Sequence, residues 1–166
     1  NNWWLIKNKI KYISEEYIEL ANNLRRRVCK NHFLKHDSKF NYIIVSRSRA
    51  ERRKLLNEHE LISMLKVYNF RLVNFEDYDY DAQINITRNC KIMIGYHGAG
   101  LTNLFFIKPK SLVIEIYNQN YQNEIFKVFS KALNVDYKSF KCNKNHSNLD
   151  GECNVKEKTE YIKKKI

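Results

Sequence analysis

Two stretches carry side chains whose types and spacing suit anion chemistry. Lys91 to Phe106 reads KIMIGYHGAGLTNLFF, and Ser46 to Arg53 reads SRSRAERR. In the first, an apolar run ends at Gly95, turns through His97, Gly98, Ala99 and Gly100, and leads into Leu101, Thr102, Asn103 and Leu104 at helical spacing. Gly95, Gly98 and Gly100 are three of the chain's four glycines, so positive φ and close backbone approach are expected here. A glycine turn feeding a helix start exposes unpaired N–H groups at the positive end of the helix dipole, a site suited to phosphate. Such turns also serve packing alone. The second stretch places Arg47, Arg49, Arg52 and Arg53 in one loop, and guanidinium forks match phosphate oxygens.

Other residues add possibilities. His97 could meet a phosphate or a sugar hydroxyl, or hold the turn by bonding a backbone carbonyl. Glu115 follows the apolar run Leu112-Val113-Ile114, so its carboxylate must find a partner or face a crevice, where carboxylates take ribose hydroxyls. Thr102 and Asn103 would cap the helix or reach a ligand, capping being the commoner use of these residue types. Asp77-Tyr78-Asp79 and Asp79-Tyr80-Asp81 have the D-x-D spacing of metal-assisted sugar transfer, but they precede a helix and read as turn and cap residues. Neither the dinucleotide fingerprint nor the Walker phosphate loop is present.

These residues need a scaffold that brings them to one edge. An amphipathic helix is expected from about Ile10 to Cys29, with Ile13, Tyr17, Leu20, Ala21, Leu24 and Val28 as its stripe and Arg25-Arg26-Arg27 as a solvated end. Strands are expected at Tyr42 to Val45, Phe70 to Phe75, Lys91 to Ile94, Leu112 to Ile116 and Val135 to Phe140. Helices are expected from Asn57, from Gln83 to Asn89, from Leu101 to Phe106, from Tyr121 to Leu133 and from about Val155. The alternation predicts an α/β, Rossmann-like, doubly wound parallel sheet with its crevice at the carboxyl ends of the strands. The arginine loop, the HGAG turn and Glu115 all fall at that edge. Residues 42–140 form this domain, 1–41 an N-terminal helix and connection, and 141–166 a cysteine-flanked loop and terminal helix packed on it.

Composition bounds the rest. At 166 residues one core is expected, and a formal charge of +12 favours anionic partners, although lysines spread over exposed faces give the same total. Cys29, Cys90, Cys142 and Cys153 fit no metal spacing. Cys142 and Cys153 flank a polar loop, where an oxidising compartment would permit a local disulfide. Asn85-Ile86-Thr87 and Asn145-His146-Ser147 are formal glycosylation sequons. No apolar run is long enough to span a membrane, and the chain, which begins Asn1-Asn2-Trp3-Trp4, reads as a piece of something longer.

Taken in order, Ser46-Arg47, Arg53 to Glu58, Glu76 with Gln83-Ile84, His97 to Asn103, Phe106 and Val113 to Ile116 resemble glycosyltransferase family 61. That family includes the plant β-1,2-xylosyltransferase and animal enzymes adding N-acetylglucosamine to O-mannose or EGF domains. The resemblance covers about Tyr42 to Phe140. It implies the C-terminal, nucleotide-sugar-binding lobe of a GT-B glycosyltransferase that inverts at the anomeric carbon. The donor would be UDP-N-acetylglucosamine or UDP-xylose and the acceptor a glycan or glycoprotein, in the ER or Golgi lumen if the source is eukaryotic. By position, Arg47 and Arg53 would neutralise the diphosphate, Gly98, Ala99, Gly100, Leu101, Thr102 and Asn103 would cradle it, and Asn57 and Glu115 would complete the donor site. His97 is the catalytic candidate, with no cofactor or metal required and no nucleic-acid or direct membrane contact. Cys90 stands where the family has a small residue, Lys108-Pro109-Lys110 is more basic than usual, and an acceptor lobe is expected outside this chain. The alternative reading is a non-catalytic basic module for nucleic acid or another polyanion, with the aromatics between Tyr117 and Lys141 as stacking platforms.

Overall fold

The computed structural model describes residues 15–31, 37–121, 123–142, 144–145 and 150–166. Five apolar, β-branched segments form one parallel sheet: β1 (Tyr42–Val45), β2 (Arg71–Val73), β3 (Ile92–Tyr96), β4 (Leu112–Tyr117) and β5 (Asp136–Lys141). Their order is β2-β1-β3-β4-β5, all parallel, the doubly wound α/β arrangement expected. The strand order reverses between β1 and β3, and ligands in such sheets lie outside the carboxyl ends of the strands at that switch point. Register sets Val45 beside Gly95 and Gly95 beside Glu115.

Side-chain alternation sends Ile44, Ile92, Ile94, Ile114 and Ile116 to one face and Ile43, Val45, Met93 and Val113 to the other. The first face is covered by Leu61 and Leu65 of α2 (Glu58–Leu65) and by Val155 and Ile162 of α5 (Val155–Lys163). The second is covered by α3 (Tyr80–Asn89), a 3-10 helix over Ala99–Phe106 and α4 (Ile125–Ala132), with Ala21 of α1 (Glu15–Asn31) at its margin. A short antiparallel pair, β6 (Lys144–Asn145) and β7 (Gly151–Glu152), joins β5 to α5. Gly151 also exchanges backbone hydrogen bonds with Lys54 and Leu56, which pins this C-terminal segment to the arginine loop.

Several expectations need correction. The segment after the HGAG turn is a 3-10 helix, and no glycine has positive φ. What the glycines supply is space. A Cβ on Gly95 would sit 3.0 Å from Leu101 Cδ2, and one on Gly100 2.7 Å from Val45 Cγ1. The inward face of α1 is not its leucine stripe, since Leu20 and Leu24 are exposed. Asn22 and Arg25 meet the fold instead, donating to the carbonyls of Ala132 and Leu133. β2 is shorter than expected because Phe75 already belongs to a 3-10 turn, and α4 begins at Ile125 rather than Tyr121. Cys142 and Cys153 are buried free thiols. Burial raises their pKa to about 11 and about 12. The Asn85 sequon lies inside α3, with Asn85 half-buried and Thr87 fully buried and bonded to the Gln83 carbonyl. The expected helix start at 10–14, most of the connection before β1 and the His146-Ser147 part of the second sequon lie outside the described residues.

Candidate functional site

The arginine loop leaves β1 at Ser46 and is held by a residue to which the sequence assigned no role. Glu58, at the start of α2, accepts from Ser46 Oγ at 2.8 Å and from the Arg47 amide at 3.3 Å. Arg47 then folds back over its own loop, with Nε donating to the Arg53 carbonyl (3.0 Å) and Nη2 to the Arg52 carbonyl (3.2 Å). This lays its guanidinium on Gly98, where an added Cβ would fall 1.9 Å from Nη1. The first arginine of one loop and the first glycine of the other are therefore in direct contact across the β1–β3 switch point. The first bond of the 3-10 helix runs from Leu101 N–H to the Gly98 carbonyl at 3.0 Å, so the amides of residues 98–100 have no helical acceptor.

Arg53 adopts a left-handed backbone conformation, with φ 58°. For a residue with a Cβ that conformation costs about 1 kcal/mol, which the rest of the loop must offset. Its guanidinium lies 5.4 Å from the ring of Tyr121 and donates to the Tyr121 hydroxyl at 3.3 Å. Its Nε is buried without a hydrogen-bond partner among the described residues. A buried orphan donor on a cationic side chain is expensive unless a ligand completes it. Burial and then the charge of Arg53 lower the pKa of Arg47, so two cations crowd a half-buried rim that an anion would relieve.

Behind this rim lies a buried polar group. Glu115 is 1% exposed and His97 is 4% exposed. His97 Nδ1 bonds one oxygen of Glu115, and the Tyr137 hydroxyl donates to the other. The His97 ring is flanked by Tyr121 at 4.5 Å and Phe126 at 5.0 Å, and its amide donates to the Ile116 carbonyl at 2.7 Å. Burial and the neighbouring carboxylate push the Tyr137 phenol upward, so it stays a donor. The partner that a buried carboxylate requires is thus present on both sides of Glu115.

Other named residues have structural partners. Asn57 bonds both the amide and the carbonyl of Cys153 and so anchors the C-terminal segment. Asn103 donates to Gln83 and to the Gly100 carbonyl, while Thr102 and Ala99 are exposed at the rim and Leu101 is in the core. Arg49 leaves the cluster to pair with Asp77, and Asp79 caps α3 through the Ala82 amide. Glu58, Tyr121 and Tyr137 carry no local signal in the sequence, since each acts on a residue distant along the chain.

The architecture is Rossmann-like, of the kind that forms the nucleotide-sugar lobe of GT-B glycosyltransferases. A model of the family described as Glycosyltransferase 61 matches residues 7–114, and the chain belongs to that family. The match contains Arg47, Arg53 and the whole 97–103 turn; Glu115 follows immediately after it. Among curated relatives, EGF domain-specific O-linked N-acetylglucosamine transferases from Canis lupus familiaris and Gallus gallus are 42% and 41% identical over 87 residues. In both cases this is 49% of this chain and 16% of the relative. The Drosophila melanogaster protein of the same name is 36% identical over 95 residues, 55% of this chain and 18% of the relative. The aligned segment is thus under a fifth of the length of these relatives.

Proposed function

We propose that this chain is the donor-binding lobe of an inverting glycosyltransferase that uses a UDP-sugar. The observation carrying the proposal is the contact of the Arg47 guanidinium with Gly98, which joins a cationic loop and a row of amides without helical acceptors at the switch point of the sheet. In this reading Arg47 and Arg53 face the diphosphate, the orphan Nε–H of Arg53 donates to one of its oxygens, and the 98–103 turn cradles the other phosphoryl group. Cationic side chains and oriented amides would stabilise the charge developing on the departing UDP, the work a divalent cation does in other transferases. Glu115 would act on the site through His97, and Asn57 by anchoring the segment behind the arginine loop. His97 is the general-base candidate of this chain where its free nitrogen meets the acceptor hydroxyl; where that nitrogen is taken by the donor, the base comes from the acceptor lobe.

The names of the relatives favour N-acetylglucosamine as the sugar and an acceptor carrying EGF domains; in a eukaryotic source the reaction would take place in the ER or Golgi lumen. No helix among the described residues is long and apolar enough to cross a membrane. Calorimetric titration of the chain with UDP tests the donor site. Saturable binding lost at least tenfold in Arg53→Ala is expected. Absence of saturable UDP binding, or steeply salt-dependent binding of a single-stranded oligonucleotide in its place, would overturn the proposal.

A further inference from the structure

The buried group behind the rim has a consequence for what His97 can recognise. A neutral imidazole carries one N–H and one lone pair, and the partner of one nitrogen decides which role is left to the other. A carboxylate can only accept, so the bond between Glu115 and His97 Nδ1 places the ring proton on Nδ1. Tyr137 donates to the second carboxylate oxygen and so fixes the plane of the carboxylate. Tyr121 and Phe126 bracket the ring and prevent it from turning. His97 Nε2 makes no hydrogen bond among the described residues and is not one of the buried orphan atoms.

We infer that Glu115 and Tyr137 are positioning residues that lock His97 as the Nδ1–H tautomer, so that Nε2 is an acceptor and reads a hydroxyl group of the ligand rather than a phosphate oxygen. The inference rests on the donor-site reading for the identity of the ligand, but not for the tautomer. A phosphate oxygen offers no proton, and a lone pair facing it would be repulsive. A ribose or sugar hydroxyl offers both a proton and an acceptor. Arg53 and His97 lie against the same ring, Tyr121, so one ligand would present phosphoryl oxygens to the first and a hydroxyl to the second. Selectivity follows, because a ligand lacking that hydroxyl leaves a desolvated acceptor unpaired.

The test is nitrogen-15 NMR of the His97 ring in the intact chain, first without ligand and then with UDP, UDP-N-acetylglucosamine or inorganic pyrophosphate. The free chain should show an Nδ1–H tautomer at pH 7. Glu115→Gln and Tyr137→Phe should shift the population toward Nε2–H, with circular dichroism confirming the fold. The Tyr137→Phe variant removes only one hydroxyl and decides the matter if the glutamine variant does not fold. A shift at Nε2 with UDP assigns the ribose as the hydroxyl source, and a shift only with UDP-N-acetylglucosamine assigns the sugar. Pyrophosphate should leave Nε2 unmoved. An Nε2–H tautomer or an imidazolium in the free chain, no response to either substitution in a folded variant, or UDP-sugar binding without movement of Nε2 would overturn the inference. Because the tautomer is read without ligand, failure of UDP to bind would remove the donor-site reading and leave this measurement to stand or fall alone.

Discussion

The guanidinium of Arg47 occupies the space in which any side chain on residue 98 would lie, Nη1 falling 1.9 Å from an ideal Cβ on Gly98. Two loops separated by two β-strands and two α-helices in sequence are thereby joined into one cationic rim, and the glycine is needed because an arginine rests on it.

Substituting Gly98→Ala should therefore impair the site without breaking the fold. The clashing group is the end of a flexible side chain, so the arginine can swing away at small cost in stability, below about 1 kcal/mol on the usual scale for surface rearrangements. UDP affinity should fall roughly tenfold, equivalent to about 1.4 kcal/mol. Gly100→Ala should behave differently, because its Cβ meets Val45 Cγ1 inside the sheet at 2.7 Å. Overpacking of that kind costs about 1–3 kcal/mol. Paired urea unfolding and UDP titrations of the two variants distinguish lost site from lost stability.

The arginines of the loop should separate by partner. Arg49 is exposed and spent on Asp77, so Arg49→Ala should leave UDP affinity within about twofold, as for most exposed ion pairs. Arg47→Lys keeps a charge but loses the fork that spans the Arg52 and Arg53 carbonyls, and should weaken UDP binding several-fold. Equal effects from substituting Arg47, Arg49 and Arg53 would argue against a defined diphosphate site.

Tyr121 supports His97 with its ring and Arg53 with its ring and hydroxyl. Tyr121→Phe removes a long 3.3 Å hydrogen bond from the Arg53 guanidinium and should change UDP affinity by no more than about fivefold, the equivalent of about 1 kcal/mol. Tyr121→Ala removes the shared support and should cost about tenfold or more. Calorimetry on both variants checks the ratio.

Stability should decline on the alkaline side. In the folded chain Cys142 and Cys153 are pushed up from 9.0 to about 11 and about 12 by burial, and Cys90 is raised further still. The unfolded chain releases these protons from about pH 8.5 upward, whereas the folded chain retains them. Their contribution is complete below that pH and is lost progressively as the pH rises toward the folded values. The urea midpoint should fall between pH 8 and pH 10.5, and Cys142→Ala with Cys153→Ala should flatten that fall. In the native chain at pH 8 both thiols should resist iodoacetamide that labels them readily in urea.

What the sequence determined by itself was the part governed by local period and local breakers. Apolar β-branched runs at Tyr42, Ile92 and Leu112, helical spacing in Leu61 and Leu65, and a glycine turn at 95–100 are each readable over a few residues, and they suffice for an α/β sheet with charged loops at one rim. Two local inferences failed because the deciding neighbours are distant. The glycines answer to Arg47, Val45 and Leu101 rather than to positive φ, and the leucines of α1 are exposed because Asn22 and Arg25 find carbonyls at the end of α4. Only the tertiary structure decided which of four arginines reaches the rim, that Asn57 serves Cys153, and that Glu115 is shared by His97 and Tyr137. Those pairings depend on strand order and register, which set residues 18 to 96 positions apart side by side; hydrophobic period encodes which way a side chain faces, but not which neighbour it meets there.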